Sequence, residues 1–171
     1  MATVMMNRRT LLGGAAALAA SALSGCSTKF RSYDGPPVTT VVVQKGPRRM
    51  HLLSGQTLLR SFDVDLGSNP VGPKVMEGDG RTPEGPFLVD KRNPNSDYHL
   101  SVGINYPRPE DLAFAEAMGV RPGGDLFIHG TPPEMKNRRD WTAGCIAVRN
   151  REMEDVYAMV RDGTPVFIYP A

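Results

Sequence analysis

Apolar and polar positions alternate in short runs along most of the chain, which is the period of half-buried strands. Val38–Gln44 is rich in β-branched residues, Gly46-Pro47 interrupts it, Met50–Leu53 resumes, Ser54-Gly55 turns the chain, and Leu58–Leu66 continues with Phe62 and Val64 alternating. The pattern predicts three short antiparallel strands. Gly67–Gly80 holds four glycines and two prolines without a period and is expected to be a loop. Thr82-Pro83-Glu84-Gly85 reads as a turn, Phe87–Val89 as a strand, and Tyr98–Ile104 as another strand with His99 on one face and Leu100 on the other. Leu126-Phe127-Ile128 and Val166–Tyr169 complete the strands.

Helical signals are confined to two places. Pro109 at a first helical turn opens PEDLAFAEAMG, with acidic residues near the positive end and Gly119 as a stop. Asn150 is the expected cap of REMEDVYAMV, where Met153, Val156 and Val160 recur at helical spacing. The fold class is therefore mainly β (α+β), with two short helices. At 171 residues the chain has room for one such domain, from about Val38 to Tyr169.

The amino terminus has a different character. Arg8-Arg9 precede an uncharged run from Thr10 to Gly25, rich in Ala and Leu, which reads as a secretory signal too short for a permanent membrane span. Leu23-Ser24-Gly25-Cys26 resembles the bacterial lipobox, which implies acylation of Cys26 and removal of residues 1–25. Asn7-Arg8-Arg9-Thr10-Leu11-Leu12 also resembles a twin-arginine export signal. Residues 26–37 are then an acylated cysteine and a polar tether, and residues 38–170 the working domain. The expected location is exported and periplasmic, held on a membrane by the lipid, with Ser27 after Cys26 favouring the outer membrane.

Lys and Arg number 20 and Asp and Glu 18, and the two surplus charges are Arg8 and Arg9. The domain itself is neutral, without the basic footprint of a nucleic-acid binder. Acylation of Cys26 would leave Cys145 as a lone thiol in an oxidising compartment. Such a thiol is either a buried small apolar group or a used one.

Its neighbours favour use. Phe127-Ile128 delivers His129-Gly130 at a strand end, and Cys145, sixteen residues after the histidine, stands in Thr142-Ala143-Gly144-Cys145-Ile146. A strand, a loop and a second strand can bring His129 beside Cys145, where an imidazolium would lower the thiol pKa and stabilise a thiolate. The imidazole could later protonate a leaving amine. Gly144 lets a carbonyl approach the backbone, and the N–H groups of Gly144 and Cys145 could face an oxyanion. His99 is the alternative imidazole, and His51 looks exposed. Three scattered histidines lack the spacing of a zinc site, so no metal is expected.

Thr82-Pro83-Glu84-Gly85, Ile128-His129-Gly130, Thr142-Ala143-Gly144-Cys145-Ile146 and Asn150, in that order, resemble the L,D-transpeptidase (YkuD-type) family of bacterial cell-wall enzymes. The resemblance implies a β-sandwich-like catalytic domain with Cys145 as nucleophile and His129 as general base and acid. It also implies that the Gly130 carbonyl orients the histidine and that no cofactor is needed. Many members have His at the position of Ala143 and Arg at that of Ala147, so carboxylate contacts here are expected to differ. Asp140–Val148, Arg92–Ser96 and His99–Ser101 look most like the branch that includes a hydrolase releasing a lipoprotein from peptidoglycan.

The implied substrate is a peptidoglycan stem peptide, attacked at the diaminopimelate carbonyl with loss of D-alanine. An amine acceptor on a second stem gives a cross-link, a lipoprotein lysine gives anchoring, and water gives hydrolysis. Lys136, Arg138 and Arg139 are candidate contacts for stem carboxylates, with Thr142 and His99 as further substrate contacts. Trp141 is a candidate wall of the site. A non-catalytic peptidoglycan-binding lipoprotein is the competing reading, and it leaves the pairing of Cys145 with His129 without a purpose.

Overall fold

The structure is a computed structural model that describes residues 28–171. The signal and acylation readings at residues 1–26 lie outside the described residues. Strands β1 (Thr40–Gln44), β2 (Arg49–Ser54) and β3 (Thr57–Asp63) form an antiparallel meander, as the alternation predicts. Val41, Val43, Met50 and Leu52 point inward and are fully buried, because a period of two sends every second side chain to one face.

Strand β4 (Gly85–Asn93) is longer than its apolar core suggests. Its first half pairs with β8 (Pro165–Tyr169) and its second half with β5 (Ser101–Ile104), with a register shift between Val89 and Lys91. One bent strand thus serves both halves of the sheet, which gives the sandwich-like form. Its polar end, Asp90–Asn93, carries no apolar period, so only pairing reveals it as strand. β8 also runs parallel to β1, placing the last strand in the centre.

Strand β6 (Phe127–Gly130) pairs antiparallel with β5 and parallel with β7 (Ile146–Val148). The full order is β3-β2-β1-β8-β4-β5-β6-β7. Beyond β3 the chain crosses to the far end of that order. Asp65 and Ala147 exchange backbone bonds of 2.9 and 2.8 Å, and Leu66 and Ser68 bond Thr142 at 3.1 and 2.9 Å. The sheet is thereby closed in a barrel-like manner against the segment that carries Cys145.

Helix α1 (Pro109–Ala117) starts at the predicted proline and buries only Ala115. Capping rather than an apolar stripe defines it: the Asp111 carboxylate accepts the Arg108 N–H at 2.9 Å. Helix α2 (Asn150–Met159) packs Met153, Val156 and Met159 into the core beside β5 and β6. Asn150 is its first helical residue rather than its cap. Arg149 takes the cap position, and the Glu152 carboxylate accepts its N–H at 3.0 Å.

The strand expected over Tyr98–Ile104 begins only at Ser101. His99 lies in the left-handed region at φ 75°, so the chain turns there instead of extending. Within the segment expected to be a tether, Lys29 donates to the carbonyls of Pro94 and His99 at 2.6 and 2.9 Å. Arg31 pairs with Glu154 and Asp155 at 2.7 and 2.6 Å. Residues 28–31 are therefore laid against α2 and the loop before β5.

Candidate active site

The parallel register of β6 and β7 sets Ile128 beside Ile146 and His129 beside Ala147. Cys145, the residue before β7, falls at the same end of the pair. Cys145 and His129 line one recess of about 280 Å³, together with Tyr98, Asp97, Asp125 and Phe127. Cys145 also lines a second recess of about 250 Å³, whose walls include Lys74, Glu77, Ala143 and Gly144. The thiol stands between two openings.

His129 is 3% exposed. Its Nδ1 lies 2.7 Å from the Gly130 carbonyl, which can only accept, so Nδ1 carries the hydrogen and Nε2 is left with the lone pair. Tyr98 packs on the ring with centroids 4.5 Å apart, and Trp141 meets it edge-on at 5.6 Å. This aromatic enclosure removes water. Burial pushes the His129 pKa below the ordinary histidine value, and the Gly130 bond opposes the shift only in part.

Burial also raises the Cys145 pKa; the Phe127 backbone lowers it, while the Asp125 charge adds to the rise. The thiol donates to the Asp125 carbonyl at 3.5 Å. Both shifts favour a neutral thiol and a neutral imidazole over the ion pair expected from sequence. In both cases desolvation of the charged form is the largest cause.

The loop before Cys145 is tightly fitted. Gly144 has φ 140°, and a Cβ there would lie 2.6 Å from the Arg81 carbonyl oxygen, so only glycine fits. The Gly144 N–H donates to Thr142 Oγ1 at 3.1 Å, and that hydroxyl donates to the Cys145 carbonyl at 2.7 Å. The Gly144 N–H is thus engaged within the loop. Thr142 is buried and braces this turn. Gly130 is also confined: a Cβ would sit 2.4 Å from Asn150 Oδ1 and 2.6 Å from the Tyr98 carbonyl oxygen.

The other predicted contacts lie elsewhere. His99 Nε2 pairs with Glu154 at 3.0 Å on the α2 side and lines neither recess at Cys145. Arg138 and Arg139 line a separate cavity that includes neither Cys145 nor His129. Sequence reasoning missed Tyr98, Asp97, Asp125 and Lys74. Tyr98 was hidden by the strand pattern around it, and the others stand in loops without a local signal. Among the described residues no group of three or more His, Cys, Asp or Glu side chains is placed to hold a metal.

Residues 38–168 match the family described as YkuD, the L,D-transpeptidase catalytic domain. The YafK protein of Escherichia coli (strain K12) is 30% identical over 116 residues, 67% of this chain and 42% of that protein. The chain therefore spans less than half the length of this curated relative. The helical cell shape determining protein Pgp2 from Campylobacter jejuni has a similar structure, with a TM-score of 0.63 at 23% identity, covering 81% of this chain and 49% of that one. An L,D-transpeptidase from Xylanimonas cellulosilytica DSM 15894 gives a TM-score of 0.51 at 16% identity, covering 81% and 63%. At such identities the structures share the fold. With the family match extending over nearly the whole folded region, the chain belongs to the YkuD L,D-transpeptidase catalytic domain family.

Proposed function

We propose that this protein is an exported cysteine acyltransferase acting on peptidoglycan stem peptides. The observation that carries this reading is the recess shared by Cys145 and His129, in which the histidine tautomer is held by Gly130. Nε2 takes the thiol proton as the sulfur attacks the diaminopimelate carbonyl carbon. The oxyanion so formed is stabilised by the Cys145 N–H. The tetrahedral species collapses with cleavage of the C–N bond, and the imidazolium returns the proton to the departing D-alanine amine. A thioester on Cys145 remains.

An amine then attacks the thioester, gives its proton to His129 and expels the thiolate, which is reprotonated. The two openings at Cys145 allow donor and acceptor to approach from different sides. Asp97 and Asp125 line the opening that contains His129 and suit an approaching ammonium group. Tyr98 and Trp141 keep water from the imidazole. In this reading Thr142 and Gly144 position the cysteine, and His99 supports α2 rather than substrate. Lipid attachment through Cys26 would keep the reaction near a membrane, within reach of stem peptides and of a peptidoglycan-linked lipoprotein.

Incubation with purified muropeptides tests the reading. Cross-linked dimers are expected with wild-type protein and absent with Cys145→Ala. Tripeptides without dimers would assign the acceptor role to water and make the enzyme a hydrolase. No product, together with no carbapenem adduct at Cys145, would leave the binding reading.

A further inference from the structure

A cavity of about 580 Å³ opens between the loop that follows β6 and the start of α2, larger than either recess at the thiol. Lys136, Arg138, Arg139, Arg149 and Arg151 line it, opposite Asp63 and Asp65. The two carboxylates are already engaged. Asp63 pairs with Arg49 at 2.8 Å, and Asp65 lies 3.6 Å from Arg139. Lys136, Arg138, Arg149 and Arg151 form no ion pair among the described residues. Five cations against two carboxylates is a local excess in a region, residues 26–171, whose charges taken together balance at 18 each. Such a concave basic site attracts anions.

Its position relates it to the chemistry. Thr131 and Val148 line the cavity, two residues after His129 and three after Cys145 on the paired strands. At about 3.3 Å per strand residue, that is roughly 7–10 Å along the strands from the reacting groups. One extended polymer can therefore touch both places.

We infer that the cavity is a second binding site for carboxylate groups on polymeric peptidoglycan, engaging stems other than the one that reacts. The inference rests on the substrate class proposed above. Individually exposed ion pairs are weak and screened by salt, so the site acts through several at once.

The test uses the full chain carrying Cys145→Ala, mixed with purified peptidoglycan sacculi and sedimented. Bound protein should fall steeply between low salt and 0.3 M salt, and adding Lys136→Glu with Arg151→Glu should weaken low-salt binding at least fivefold. The same two changes as glutamines should have a smaller effect in the same direction. Thermal unfolding followed by circular dichroism reports whether the charge variants are folded. Unchanged sedimentation of a folded charge-reversed protein would overturn the inference. So would charge-dependent binding to phosphatidylglycerol vesicles with none to sacculi, which would assign the site to lipid phosphate. Failure of the catalytic reading shows differently, as loss of carbapenem labelling with charge-dependent sacculus binding retained.

Discussion

Arg48 and Asp140, 92 residues apart, form a bidentate ion pair: Arg48 Nε lies 3.0 and 3.1 Å from the two carboxylate oxygens, and Nη2 lies 2.8 Å from Oδ2. Arg48 belongs to the β1–β2 turn and Asp140 precedes Trp141. Asp140 also accepts the Leu66 N–H at 3.1 Å. One carboxylate therefore ties a distant hairpin and the barrel closure to the start of the cysteine loop.

Burial alone would raise the Asp140 pKa, but the bonds from Arg48 and Leu66 outweigh it and the carboxyl lies below its ordinary value. A depressed carboxyl contributes stability that is complete above its unfolded pKa, near 3.8, and is lost as pH falls through the folded one. Asp140→Asn should therefore cost on the order of 1–3 kcal/mol at pH 7. The gap from wild type should narrow below about pH 4. Urea denaturation at pH 7 and pH 3 measures it, and an equal gap at both would refute the assignment.

The shifts of Cys145 and His129 toward their neutral forms have a kinetic signature. Iodoacetamide reacts with thiolate, so alkylation of free Cys145 should be slow at pH 7 and rise with an inflection above the ordinary cysteine value. Acylation by a carbapenem should rise with pH through an earlier inflection, below the usual histidine range, where His129 loses its proton and becomes able to act as base. An alkylation inflection below pH 7 would show a preformed ion pair instead.

Lys45 is fully buried and donates to the carbonyls of Gly72 and Thr82 and to Glu84, at 2.7, 3.0 and 2.7 Å. Burial lowers its pKa, opposed by Glu84. Lys45→Met would leave a mostly buried carboxylate without its partner, a loss of about 3–5 kcal/mol. The loop it holds carries Thr82, which accepts the Gly67 N–H at 3.0 Å, and Arg81, whose carbonyl limits Gly144. Carbapenem acylation should fall with stability, and calorimetry beside acylation rates checks both.

Gly144→Ala meets a main-chain carbonyl at 2.6 Å in a backbone conformation with φ 140°. The strain should cost roughly 1–3 kcal/mol. Because relief requires moving the residue before the nucleophile, acylation should drop by about a hundredfold, the scale set by a small misplacement of reacting atoms. A near-normal rate in a folded variant would show that the loop tolerates the shift.

The strands of the first meander were readable because their burial alternates within the strand itself, as at Val41 and Val43. The polar half of β4 was not, since Asp90–Asn93 gain strand geometry only from pairing with β5. The apolar period around His99 predicts a strand, whereas the left-handed turn there accompanies its setting between the Lys29-bound loop and α2. Arg138 and Arg139 share the loop between His129 and Cys145 in sequence, but they line a cavity that excludes the nucleophile.

Local order along the chain, acting through strand period, capping residues and the spacing of His129 and Cys145, was enough to specify a mainly β domain with its chemical candidates. Tertiary structure decided that the two candidates share a recess lined by Tyr98, with Trp141 against the imidazole, that burial shifts both toward their neutral forms, and that the neighbouring basic residues gather elsewhere. Burial and through-space charge cause those outcomes, and both depend on which distant segments meet, a quantity that no short window of sequence contains.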